Sequence, residues 1–152
     1  MEFVNGFNQN VAELQTAGVD VQASYRLNLS DLFGGQSDLG DVTFTGSYQY
    51  LDKYDTITLP GAEPVSSKGF LGASEHEGQF GVVYGRDNLR VAVSTRWEGA
   101  WQDTGFVETE ENPEGIFKQE SEFFTDLNVR YVLPDSADNV SLTFGVDNIF
   151  DN

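Results

Sequence analysis

The densest concentration of reactive side chains lies between Gln102 and Glu122, where Asp103, Glu108, Glu110, Glu111, Glu114, Glu120 and Glu122 stand against Lys118 alone. Carboxylates at that density attract a cationic ligand or a divalent ion, and the same run also reads as a solvated surface loop. Phe106, Phe117 and Phe124 interrupt the charges and offer flat apolar faces to a ligand, or cap the rim of a fold. The single imidazole, His76, sits between Glu75 and Glu77 with no second histidine to complete a zinc spacing. There is no cysteine nucleophile, no Gly-x-Ser-x-Gly turn and no EF-hand spacing. No catalytic residue, metal site or cofactor is therefore expected. Asn28-Leu29-Ser30 and Asn139-Val140-Ser141 match a glycosylation pattern that carries little information at this frequency.

The 152 residues suit one domain or a piece of a larger one, and 39% hydrophobic with 13% aromatic content excludes a disordered acidic tail. With 8 basic against 25 acidic residues and a net charge of −17, the chain is no phosphate-binding nucleic-acid protein. No apolar run approaches the length of a membrane helix, and Met1–Gly6 has neither a basic nor an apolar leader region. Neither absence bears on a β-barrel, whose apolar residues alternate with polar ones.

Alternation is the pattern this chain shows throughout. Ala17, Val19, Val21, Ala23, Tyr25, Leu27 and Leu29 face one way, with Gly18, Asp20, Gln22, Ser24, Arg26 and Asn28 between them. Five later segments repeat it, carried by Val42–Tyr50, Phe80–Tyr84, Leu89–Trp101, Phe123–Leu133 and Val140–Val146. Successive strand residues point to opposite faces, so each segment has an apolar side and a wet side. Six strands and no helix are predicted, several of them near the roughly 9–11 residues that cross a bilayer at a tilt. The wet side carries Asp20, Arg26, Arg90, Arg96, Glu98, Asp126 and Arg130. Such a mixture suits water better than a dry core. These charges either line a passage or pair across neighbouring strands.

Connection lengths add an orientation. Arg86-Asp87-Asn88 and Pro134–Asn139 are short turns, and Ser30–Gly40 is an intermediate link. Leu51–Gly78 and Gln102–Glu122 are long and fall at the same end of the sheet. Outer-membrane barrels show this asymmetry. With the long loops placed uppermost, Tyr48, Tyr50, Phe80, Trp97, Trp101 and Phe123 form an upper aromatic band, and Tyr25, Tyr84 and Tyr131 a lower one.

The last segment, Val140-Ser-Leu-Thr-Phe-Gly-Val-Asp-Asn-Ile-Phe-Asp151, resembles the penultimate strand of TonB-dependent outer-membrane receptors, which ends Gly-Val-x-Asn-Leu-Phe-Asp. Phe124–Tyr131 is similar to the family's preceding strand, and Pro134–Asn139 stands where its short periplasmic turn does. Thr16–Asp20 followed by Ser24-Tyr25 resembles the Gly-(Val/Ile/Leu)-(Asp/Glu) strand further upstream. The resemblance implies an all-β, antiparallel up-and-down meander forming a partial transmembrane barrel. Residues 1–152 are then a C-terminal portion of a wall of about 22 strands, short of its last strand and lacking the plug domain and energy-coupling box. Met1 is read as an artificial or misplaced start.

By the same resemblance, the chain belongs in the bacterial outer membrane and its parent imports an iron–siderophore, a cobalamin or a glycan. The implied partners are membrane lipid, the receptor's own plug and remaining wall, and the TonB energy-transducing complex acting through the N-terminal part; nucleic acid is not among them. Phe106, Glu108, Glu110, Glu111 and Phe117 are the candidate ligand-loop residues, and the wet-side charges are the candidate lumen-facing set. A small complete outer-membrane barrel or a secreted β-sandwich displaying its loops stands as the alternative.

Overall fold

The computed structural model describes residues 12–35, 38–104, 112–113, 115–134 and 140–150. Its strands are β1 (Glu13–Asn28), β2 (Asp41–Ile57), β3 (Val65–Ser66), β4 (His76–Arg86), β5 (Leu89–Glu98), β6 (Trp101–Thr104), β7 (Ile116–Gln119), β8 (Glu122–Val132) and β9 (Ser141–Val146). One sheet runs β1-β2-β4-β5-β8-β9, every neighbour antiparallel, with β3 added to β2 beyond β4. β6 and β7 form a separate hairpin. This is the expected meander, an open sheet with long strands.

Register follows from the period-two pattern. Val21 pairs with Tyr48, Tyr48 with Gly78, Gly78 with Trp97, and Trp97 with Phe123. A slip of one residue anywhere would send one strand's apolar set to the polar side. The alternation therefore specifies each pairing as well as each strand. The β4–β5 turn is as tight as expected: Arg86 pairs with Leu89, leaving Asp87 (φ 47°) and Asn88 to reverse the chain.

Ala73 is the one buried hydrophobic side chain among the described residues. Val21 is 55% exposed, Phe80 47% and Leu142 61%, and no second layer covers either face of the described sheet. A β-sandwich places its apolar residues between two sheets; nothing of that kind is present here. At about 25 cal/mol per Å² of apolar surface buried, this side draws little stabilisation from the described residues themselves.

Three features depart from the sequence reading. β1 and β2 are longer than expected, 16 and 17 residues, because pairing from Glu13↔Ile57 to Thr16↔Tyr54 extends beyond the alternating stretch. The register shifts at Ala17/Gly18, where a bulge in β2 lets the extension continue. Gly18 is needed there, since a Cβ would lie 2.5 Å from the Tyr50 carbonyl oxygen. A single helical turn, α1 (Leu29–Leu32), also appears where no helix was expected. The Asn28 side chain caps it, accepting from the Ser30 and Asp31 amides at 2.9 and 3.3 Å. Finally, Trp101 belongs to the β6–β7 hairpin and not to the upper band of the wall.

Because Val21 and Gln22 are adjacent on β1 but face opposite sides, they test the two environments directly. Val21→Arg is expected to lower stability in phospholipid vesicles by roughly 2–4 kcal/mol, and Gln22→Arg by little. Urea titration of the vesicle-inserted chain measures both, and equal losses would contradict the assignment of faces.

Candidate functional site

The polar side of the sheet is organised in transverse rungs. Nearest the long connections, Asp20 pairs with Gln49, Gln49 with Glu77, Glu77 with Glu98, and Glu98 with Glu122. Gln22, Ser47, Gln79, Arg96 and Phe124 form the next rung. From β1 to β5 the two rungs border an open groove of about 740 Å³. Arg96 lies over the Phe124 ring at 4.8 Å, which presents a cation on an aromatic platform. Amides and carboxylates at the groove serve as acceptors and, through glutamine, donors for a polar ligand.

The opposite end of this face is cationic. Arg26 binds Asp41 at 2.6 Å, while Arg90 and Arg130 stand directly across from each other on β5 and β8. The face thus runs from acidic at the long loops to basic at the short turns. All seven expected wet-side charges stand on it: Asp20 and Glu98 in the acidic rung, Arg96 beside it, Arg26, Arg90 and Arg130 at the basic end, and Asp126 between. One of the seven, Arg26, is held in an ion pair on this face among the described residues. Asp126 instead accepts from the Asn148 amide at 2.9 Å, fixing the turn after β9 in which Asn148 takes φ 48°. The Asn148 carboxamide oxygen is buried there with no partner among the described residues.

On the apolar side, a band of stacked rings crosses the sheet below the long connections. Tyr50 and His76 lie 5.2 Å apart, His76 and Trp97 6.3 Å, Tyr48 and Trp97 6.3 Å, and Trp97 and Phe123 6.0 Å. The Tyr48 hydroxyl is hydrogen-bonded to His76 Nδ1 at 2.8 Å. Gly78 makes room for the band, since a Cβ would come within 3.2 Å of both the Phe80 and Trp97 rings. His76 was placed in a loop from sequence, yet it opens β4 opposite Tyr50. The signal was parity: His76 continues the series Gly78, Phe80, Val82, Tyr84. Its side-chain hydrogen bond and its stacking contacts are all with the rings of this band.

The long connections are folded onto each other. The Leu71 amide donates to the Gln102 carbonyl and the Gln102 amide to the Gly69 carbonyl, each at 2.9 Å. Ser74, 4% exposed, donates to the Gly99 carbonyl at 2.7 Å. Lys68 reaches Glu75 at 3.1 Å. The Glu75 hydrogen bond raises the Lys68 ammonium above the usual 10.5, so the lysine's share of this clasp is fully present below 10.5 and is lost as pH climbs through the raised value. Phe117 packs on Trp101 with ring centres 5.8 Å apart, at the open end of β6–β7. Of the expected ligand-loop residues, Phe117 is the one placed; Phe106, Glu108, Glu110 and Glu111 lie outside the described residues. Among the described residues no group of three or more His, Asp or Glu side chains stands close enough to hold a metal ion.

A single antiparallel layer with one bare, ring-banded apolar side, one polar side and long connections at one end defines an open portion of a β-barrel wall. The family model described as TonB dependent receptor-like, beta-barrel matches residues 3–149, and the chain belongs to that family, one of receptors and transporters and not of enzymes. No curated protein and no solved structure matches the chain.

The Ser74 hydroxyl gives a direct check of the docked loops. Ser74→Ala leaves the Gly99 carbonyl without its side-chain donor and is expected to cost about 1 kcal/mol locally. Hydrogen exchange should quicken at residues 69–74 and 99–104, while amides of β4 and β5 keep their protection.

Proposed function

We propose that this chain forms part of the outer-membrane wall of a TonB-dependent receptor that takes up a scarce ligand by energy-coupled transport. In this reading residues 1–152 are a C-terminal portion of the barrel domain. The apolar side meets lipid hydrocarbon, the ring band lies at the outer interface, and Asp20, Arg26, Arg90, Arg96, Glu98, Asp126 and Arg130 face the lumen. The plug and the TonB complex act through other parts of the receptor. An iron–siderophore, a cobalamin and a glycan are the candidate cargoes.

The observation that supports this most strongly is the uncovered apolar side of a sheet whose other side is polar, with charged rungs at both ends. Strand length agrees. At about 3.3 Å per residue, β2 is longer than a tilted crossing needs, and its upper part with β3 stands clear of the hydrocarbon. The docked connections then form the outward rim. Acidic residues at that end disfavour anionic cargo and favour a neutral, hydroxyl-rich or cationic one.

Uptake by cells that carry or lack the gene for this chain tests the proposal. Radiolabelled ferric siderophore, cobalamin and oligosaccharide are supplied singly, with the inner-membrane proton gradient intact or collapsed. Uptake of one of them that requires both gene and gradient is the expected result. Uptake of all three unaffected by gene loss, with the chain recovered from the soluble fraction, would overturn it.

A further inference from the structure

We infer that Arg90 and Arg130 together form an oxyanion-binding site on the polar side of the wall, close to the short turns. This rests on the reading that the polar side is wet. The two arginines are direct partners in the β5–β8 register, so their side chains leave the same face of neighbouring strands. Both are exposed, and neither has a carboxylate within ion-pair distance among the described residues. Their register neighbours are Gly85 on β4 and Thr143 on β9, neither of them charged. Asp38, Asp41 and Asp87 line the same open cavity as Arg90, and each is already engaged: Asp41 by Arg26 at 2.6 Å, Asp87 by Arg86 at 3.5 Å and Asp38 by the Gly40 amide at 2.9 Å.

Like charges directly opposite on a sheet repel, and a carboxylate bridging them would turn that repulsion into attraction. Arg26, on β1 of the same face, has such a counter-charge in Asp41. Among the described residues the Arg90–Arg130 rung has a glycine and a threonine beside the two guanidiniums. Two planar forks side by side are matched to an anion with several oxygens, phosphate or a polycarboxylate, which can accept paired N–H donors from each. Thr143 adds a hydroxyl at the edge of the same rung. The site holds an anion by hydrogen bonding and charge and carries out no bond-making step.

The test uses the full chain in a phosphate-free maltoside detergent, titrated calorimetrically with inorganic phosphate and, separately, citrate at constant ionic strength. Saturable binding of either anion is expected, and which one binds more tightly tells a phosphate site from a carboxylate site. Arg90→Gln and Arg130→Gln should each weaken it at least about tenfold. Arg26→Gln, at an arginine already paired, should leave it unchanged. Unsaturable heats, equal binding by the Arg90→Gln and Arg130→Gln variants, or equal binding in urea would each overturn the site. Because the chain has no cysteine, Ser94→Cys and Val93→Cys report the faces separately. In lipid vesicles a water-soluble maleimide should label the first and spare the second. If both label alike the wall reading itself fails, whereas sorted faces with no anion binding remove the oxyanion site alone.

Discussion

The structure depends on one constraint: a single layer of strands that must satisfy its backbone within the sheet while leaving its apolar side to something other than protein. Neighbouring strands from β1 to β9 are antiparallel, so peptide groups are paired across the described layer except along the outer edges of β1 and β9. In hydrocarbon this is a requirement, because an unpaired peptide group there costs several kcal/mol. Side chains then divide by parity alone. Val, Leu and Phe gather on one side, and Asp, Glu, Gln and Arg on the other. Even the hydroxyls on the apolar side are accommodated, with Thr95 and Thr125 bonding one another at 3.0 Å across their register pair.

That division makes the two sides independent surfaces with different tasks. The apolar side carries a stack of rings running from Tyr50 through His76 and Trp97 to Phe123. The polar side carries a charge gradient, from the rung of Asp20, Glu77, Glu98 and Glu122 to the pair Arg90 and Arg130. Above the wall, strand pairing gives way to loop-to-loop hydrogen bonds, so the rim is built by local contacts and not by the sheet.

Much of the fold was legible beforehand for a simple reason. Period-two alternation is local, and antiparallel neighbours joined by short turns repeat it in order, so reading Val91, Val93 and Thr95 against Arg90, Ser94 and Arg96 already places β5 and its faces. The turn at Asp87-Asn88 was equally plain. Less legible were features that depend on what stands opposite. The Ala17/Gly18 shift arises from an extra residue on the neighbouring strand, and α1 from one capping side chain. His76 looked like a loop residue because its neighbours Glu75 and Glu77 are charged, although its parity matched the apolar series.

Sequence alone determined the six main strands, the two faces and which charges share the polar one, because side-chain direction along a strand depends only on position. β3 and the β6–β7 hairpin fall in segments that read as long connections. The sequence also held the segment Gly145 to Asp151 on which the resemblance to the family rests. Tertiary structure decided which of those charges meet. Arg26 finds Asp41 while Arg90 faces Arg130, and Ser74 closes onto Gly99. Such encounters follow from register between segments distant in sequence, and register is a property of pairs of strands that no single strand contains.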